Sequence, residues 1–155
     1  MTSHTGKVAR PMNFKRIAGS SAAMATAVAL IVLVPTTASA VPVHAKKARP
    51  TSGSPGNSGH CGSVLGGGKD AGFACFKKKG DRFWVKDNAN DGHHVELRGA
   101  VNTSGDGFRC IGSGRGWQIC DFSSEMPEGA SFAWYTVLCD GNKVVRTGSE
   151  KFSYT

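Results

Sequence analysis

Cys61, Cys75, Cys110, Cys120 and Cys139 are the residues of this 155-residue chain best suited to covalent chemistry. Their spacing holds no C-x2-C or H-x3-H element, which argues against a zinc site and for disulfides. Cys110 and Cys120 stand symmetrically about Arg115, within Phe108–Phe122, whose centre is the glycine-rich Gly112-Ser113-Gly114-Arg115-Gly116. A hairpin turning at Arg115 would place the two cysteines directly opposite one another. At a non-hydrogen-bonded site such a pair brings its Cα atoms to about 4.5 Å, inside disulfide range. A Cys110–Cys120 bridge is therefore expected, and closing so short a loop contributes about 2–3 kcal/mol. Three thiols remain for one bridge. Cys75 and Cys139 fall in expected strands and Cys61 opens a glycine-rich stretch, which favours Cys75–Cys139, with Cys61–Cys75 as the alternative. The fifth thiol is then free or forms an intermolecular bridge.

The other chemically able residues do not assemble into a catalytic set. No serine carries the flanking glycines of a nucleophile elbow. His93 and His94 are adjacent, and neighbouring strand residues point to opposite faces, so the two rings cannot converge. Asp87-Asn88-Ala89-Asn90-Asp91-Gly92 has the look of a calcium loop, but the third and twelfth positions counted from Asp87 are Ala89 and Arg98, which is not an EF-hand. An irregular calcium site would draw on Asp81, Asp87 and Asp91; a dense turn accounts for the same residues. The Gly112–Gly116 run lacks the lysine and the helix of a phosphate loop. Asn102-Thr103-Ser104 matches a glycosylation acceptor, a pattern common by chance. No catalytic residue, resident metal or cofactor is assigned.

Aromatic residues beside cations are the remaining candidates. Trp84 alternates onto the face of Arg82 and Lys86, and Trp117 lies beside Arg115. An exposed tryptophan between cations stacks on a sugar or anchors a protein partner. Arg82, Trp84, Lys86, Arg115 and Trp117 thus form the expected binding surface. The alternative is that Trp84 covers a second apolar layer.

The elements that position these residues follow a leader. Met1–Arg16 carries four positive charges, Ile17–Val34 carries none of either sign, and Thr36-Thr37-Ala38-Ser39-Ala40 supplies small residues. That order is a secretory signal peptide with cleavage after Ala40, giving transient membrane contact and an extracellular destination. Residues 41–60, rich in Pro, Gly and Ser, read as a disordered basic linker. Residues 61–155 form a single domain whose core spans about 72–155. The whole chain carries a net charge of +8, but from Cys61 onward twelve basic residues face eleven acidic ones. The expected domain is nearly neutral, which argues against nucleic acid as a partner.

Within that domain short runs with period two alternate with turn residues. Arg82–Lys86 puts Phe83 and Val85 on one face; His94–Arg98 puts Val95 and Leu97 inward. Other short runs recur at Phe73–Phe76, Phe108–Ile111, Gln118–Phe122, Lys143–Arg146 and Lys151–Tyr154, while Phe132–Cys139 is apolar on both faces, as a central strand is. No window sustains an i, i+3, i+4, i+7 apolar series. Seven or eight short strands indicate an all-β fold, a small antiparallel β-sandwich, Ig-like or barrel-like.

Phe76, Gly80-Asp81, Phe83, Val85, Asp87-Asn88 and Asp91-Gly92 compose F-x3-G-D-x-F-x-V-x-D-N-x2-D-G, followed by Cys110, Cys120 and Glu128-Gly129. This pattern, over about Phe73 to Asp140, resembles that of small secreted actinobacterial β-sandwich proteins of the Streptomyces type. The resemblance implies an exported sandwich and brings no activity with it. Some of these relatives carry a cysteine where Lys86 stands, which leaves the pairing of Cys139 open. The expected function is that of a secreted, non-enzymatic binding module for an extracellular protein or polysaccharide. The alternatives are an inhibitor of a secreted hydrolase, presenting Ile111–Ile119 as a rigid insert, and an envelope structural protein.

Overall fold

In a computed structural model, residues 40–89 and 91–155 are described; the expected leader lies outside them up to Ser39. All regular structure among them is strand: β1 (Val43–Lys47), β2 (Arg49–Pro50), β3 (His60–Gly66), β4 (Lys69–Lys77), β5 (Arg82–Asp87), β6 (His94–Val101), β7 (Gly107–Ile111), β8 (Gly116–Asp121), β9 (Ser131–Asp140), β10 (Lys143–Thr147) and β11 (Lys151–Tyr154). The all-β class agrees with the sequence pattern, with eleven strands in place of seven or eight.

The strands form two sheets. One has the order β1-β7-β6-β9-β10, with β11 also pairing β9; the other has the order β2-β8-β5-β4-β3. All pairings are antiparallel except β1 with β7. Alternation explains which side chains meet. Phe76, Phe83, Val85 and Phe122 come from the five-stranded layer, Leu97, Phe108, Phe132 and Trp134 from the six-stranded one, and they share one buried cluster. The phenyl rings interlock, with Phe76 and Phe132 centroids 4.6 Å apart and Phe83 and Phe122 5.0 Å apart. Trp134 satisfies its buried indole by donating to Ser153 Oγ at 3.0 Å.

The segment expected to be a disordered linker is part of the sandwich. β1 adds to the edge of the six-stranded sheet and β2 to the edge of the five-stranded one, so residues 43–50 clasp the two layers together. Ala48 between them is buried in the core and its N–H donates to Ile111 O at 2.8 Å. His44 stacks on Phe108 at 5.1 Å, and Lys46 lies 4.8 Å from the Phe122 ring while pairing with Glu125 at 2.7 Å. Composition misled here because the binding is mostly backbone hydrogen bonding, and because the stem of a lysine covers apolar surface as well as an aliphatic residue does. With the clasp included, residues 40–155 hold fifteen basic and eleven acidic residues, a net of +4.

Cys110 and Cys120 are bridged, with Cα atoms 5.8 Å apart, but not across a hairpin. β7 and β8 lie in different sheets and share no ladder. The bridge passes through the core from one layer to the other, where the sheets are pinched well below the usual spacing of about 10 Å. Gly112–Arg115 is an arch between layers, held where Ser113 N donates to Gln118 Oε1 at 2.8 Å and Gln118 Nε2 donates to Gly114 O at 3.1 Å. Symmetry about Arg115 fits arch and hairpin equally, which is why spacing identified the pair and not its setting. The favoured Cys75–Cys139 pairing does not occur. Cys61 and Cys75 face each other across β3 and β4 and are bridged, with Cα atoms 4.0 Å apart, leaving Cys139 as a buried free thiol. β4 and β9 sit in different sheets, and Cys75 and Cys139 point to opposite outer faces.

Candidate functional site on the six-stranded sheet

The outward-facing residues of the six-stranded sheet form rows across its strands, set by register. The first row runs Val43, Gly107, Ala100, Ala133, Phe152. Two residues further along, Ala45, Arg109, Arg98 and Tyr135 stand side by side. The next holds Lys47, Ile111, Glu96, Val137 and Thr147; beyond it lie His94, Cys139 and Val144.

The first two rows make a trough. Gly107, Ala100 and Ala133 give a floor without bulk, Val43 (66% exposed) stands at one end, and Arg109, Arg98 and Tyr135 form one wall; Phe152 (64% exposed) continues the row next to Ala133. The groove has a volume of about 440 Å³, with Glu150 also on its lining. Tyr154, exposed, pairs with Ser131 on the side away from the arginines. The row crosses five strands, four steps of about 4.8 Å, or about 19 Å in all.

Beneath the arginine wall lies a wholly buried carboxylate. Glu96 Oε2 accepts from Arg98 Nε at 2.7 Å and Arg109 Nε at 2.6 Å, while Oε1 accepts from Arg109 Nη2 at 2.6 Å. His94 Nε2 lies 2.9 Å from Oε1. Burial by itself would raise the Glu96 carboxyl, but the hydrogen bonds from Arg109, Arg98 and His94 outweigh it and lower the pKa from 4.5 to about 2. The same contact with Glu96 raises Arg109 above its ordinary value. Arg98 Nη2 also reaches Cys139 Sγ at 3.5 Å. Burial, with the Glu96 charge behind it, pushes the Cys139 thiol up.

Two chemistries are disfavoured by this arrangement. His94, Glu96 and Cys139 place potential ligand atoms within 4.8 Å of one another. Both Glu96 oxygens are already held by guanidinium groups, however, whose charge opposes a divalent cation. A buried thiol whose pKa is raised is the reverse of an activated nucleophile. What the cluster does is immobilise two guanidiniums at the edge of the trough, because a planar fork bonded through two nitrogens cannot swing. Neither Arg98 Nη1 nor Arg109 Nη1 bonds to a described protein atom. These donors are what the wall offers a ligand.

The expected binding residues lie on the five-stranded sheet and come together only in part. Trp84 and Trp117 are edge to face with centroids 6.5 Å apart, and Lys86 Nζ is 5.8 Å from the Trp117 ring. Arg82 is at the far end of β5, facing Asp121 at 3.5 Å, and the backbone of Arg115 in the arch forms an isolated β-bridge with that of Asp87. Trp84 is only 7% exposed, so it is not the exposed platform expected; the second-apolar-layer alternative is the one observed. A Cβ on Gly53 would sit 3.4 Å from Trp84 Cη2, and one on Gly59 3.7 Å from Cys75 Cβ, so the segment joining β2 to β3 passes over both residues. The irregular calcium site does not assemble either. Asp81 and Asp87 flank a fully extended β5, about 20 Å apart at 3.3 Å per residue. Asp87 Oδ1 instead accepts from Ala89 N at 2.9 Å, and Asp91 Oδ1 from His93 N at 3.1 Å, as turn-forming aspartates do.

No protein-family model, curated protein or solved structure matches this chain. The trough residues carry little sequence signal, because the apolar alternation of β6 marks its inward residues, Val95 and Leu97. The available signal was the complementary face, His94-x-Glu96-x-Arg98, three polar groups at period two. Arg109 and Cys139 carried no such signal, since only sheet order brings them to Glu96.

Proposed function

We propose that the protein is an exported, non-enzymatic binding module that engages an extracellular polymer through the outer face of its six-stranded sheet. The observation that carries this reading is the trough itself: a row of small residues between exposed Val43 and Phe152, beside two guanidiniums pinned by a buried carboxylate. Large apolar side chains left open in line on one face mark interaction surfaces more often than isolated ones do. Two disulfides suit an oxidising compartment. Export through a leader removed after Ala40, and kinship with the secreted actinobacterial sandwiches, belong to the same proposal. β1 starts at Val43, so cleavage there leaves the clasp intact. A non-catalytic role agrees with a carboxylate saturated by its partners and a thiol held protonated. Nucleic acid is not a proposed partner, because residues 61–155 are nearly neutral, with twelve basic residues against eleven acidic ones.

A second reading rests on the arch. Gly112–Arg115 is braced by Cys110–Cys120 and Gln118, the rigidity an inhibitory loop needs. Amide chemical-shift mapping of residues 41–155 against a panel of polysaccharides and secreted hydrolases separates the two. Shifts centred on Ala100, Gly107 and Ala133 support the trough. Shifts centred on Ser113–Gly116 with a hydrolase support the inhibitor instead.

A further inference from the structure

Resting on the trough as the binding face, we propose that its occupant is an acidic polysaccharide strand lying across the sheet. The inference starts from what the lining offers. It is a groove with a floor of Gly107, Ala100 and Ala133, which carry little bulk, bordered by the charged and hydrogen-bonding side chains of Arg98, Arg109, Tyr135 and Glu150. The trough is open along its length and about 19 Å long, the form suited to a flat chain lying on the surface. Aromatic rings gather at one end of it, with Tyr135 on β9 and the exposed Phe152 and Tyr154 on the neighbouring β11. Sugar rings present C–H faces that pack on such rings.

The charge chooses among glycans. Arg98 and Arg109 share one carboxylate, so the arginine edge holds one surplus positive charge, with the negative charge of Glu150 elsewhere on the lining. Their unbonded Nη1 groups are donors that cannot accept. A carboxylate or phosphate substituent on the glycan supplies the matching acceptors, and the guanidiniums need no reordering to meet it because Glu96 has already fixed them. Glu150, on the same lining, is placed to accept from neutral hydroxyls. A neutral glucan would leave the arginine donors facing water and gain only the ring contacts.

The test is affinity electrophoresis of residues 41–155 in gels containing polygalacturonate, laminarin as a neutral glucan, or poly-L-glutamate. Retardation by polygalacturonate at least about tenfold stronger than by either other polymer is expected, a difference of about 1.4 kcal/mol. Ala100→Phe, at an exposed floor position, should abolish it by filling the trough, and Phe152→Ala should weaken it about threefold to tenfold. Lys143→Ala on the exposed β10 should leave it unchanged. Equal retardation by poly-L-glutamate would show charge alone at work and overturn the proposal, as would equal retardation by laminarin or an Ala100→Phe protein that still binds. Failure of every glycan, with Ala100 and Ala133 amides shifted by an extracellular protein, overturns the glycan while sparing the binding face. Absence of any ligand-induced shift on this face removes both.

Discussion

The two outer faces of the sandwich are built alike and finished differently. On the five-stranded sheet Trp84 and Cys75 are buried beneath residues 51–59; on the six-stranded sheet Val43, Phe152 and Tyr154 stand open. Topology accounts for the cover. β2 and β3 occupy opposite edges of the five-stranded sheet, four interstrand steps or about 19 Å apart. Residues 51–59 must join those edges, and nine extended residues reach about 30 Å, enough to cross one face. The inner face is filled with phenyl rings, so the strap crosses outside and closes over Trp84. No connection is required to cross the six-stranded sheet in this way. Trp84 on one face is thereby a core residue, while Phe152 and Tyr154 on the other are available for contact.

Substitutions should expose that difference most strongly at the covered ring. Trp84→Ala should cost about 3–5 kcal/mol in urea unfolding, whereas Phe152→Ala should stay within about 0.5 kcal/mol. Similar losses at the two sites would show that the strap does not seal Trp84. On the open face stability resides instead under the arginines: Glu96→Ala leaves two guanidiniums without their shared partner and should cost about 3–5 kcal/mol.

The disulfides sharpen the contrast next. Replacing Cys61 and Cys75 by serine should cost about 2–3 kcal/mol and speed proteolytic cutting within residues 51–59, because the bridge fastens the strand that receives the strap. Replacing Cys110 and Cys120 by alanine should cost a similar amount and leave the strap as resistant as before, since that bridge joins the layers at their other side. Alkylation should meet the fifth cysteine only after unfolding. Cys139 is buried with a raised pKa, so native protein should take up no label within minutes while denatured, unreduced protein takes up one per chain.

Acid titration acts with opposite sign at two sites. The folded pKa of Glu96, about 2, lies below its ordinary 4.5, so its contribution is present above pH 4.5 and is lost as pH falls towards 2. Glu96→Gln should flatten the stability curve in that window. Asp81 is buried, has an Oδ1 without a partner, and is raised above 3.8 by burial and by Glu128 and Asp121. Its contribution is present below pH 3.8 and is lost as pH rises through the folded value. Asn tolerates the positive φ of 42° at this position. Asp81→Asn should therefore raise stability at pH 7 by less than about 1 kcal/mol, and the gain should vanish below pH 3.8.

Much of the fold was legible because alternation is local. Phe83 and Val85, or Val95 and Leu97, declare an inward face within five residues, and Phe132–Cys139, apolar on both faces, reads as a central strand. β1 and β2 declare no such face, since Val43–Pro50 is held through edge hydrogen bonds and the stems of polar side chains. The site was less legible. His94, Glu96 and Arg98 were visible as one polar face, but nothing near them in the chain announced Arg109, Cys139 or the small residues of the trough.

By itself the sequence determined the all-β class, the inward-facing residues and the Cys110–Cys120 pair, since each depends on side-chain order over a few residues to a dozen. Only the tertiary structure decided which sheet each strand joined. From that followed a bridge through the core in place of a hairpin, Cys61 in place of Cys139 as the partner of Cys75, and a strap over Trp84. The alignment of Val43, Gly107, Ala100, Ala133 and Phe152 was decided there as well. Strand neighbours are chosen by competition among long-range pairings, whose energies come from register and from the packing of whole layers, and period-two alternation is equally compatible with many of them.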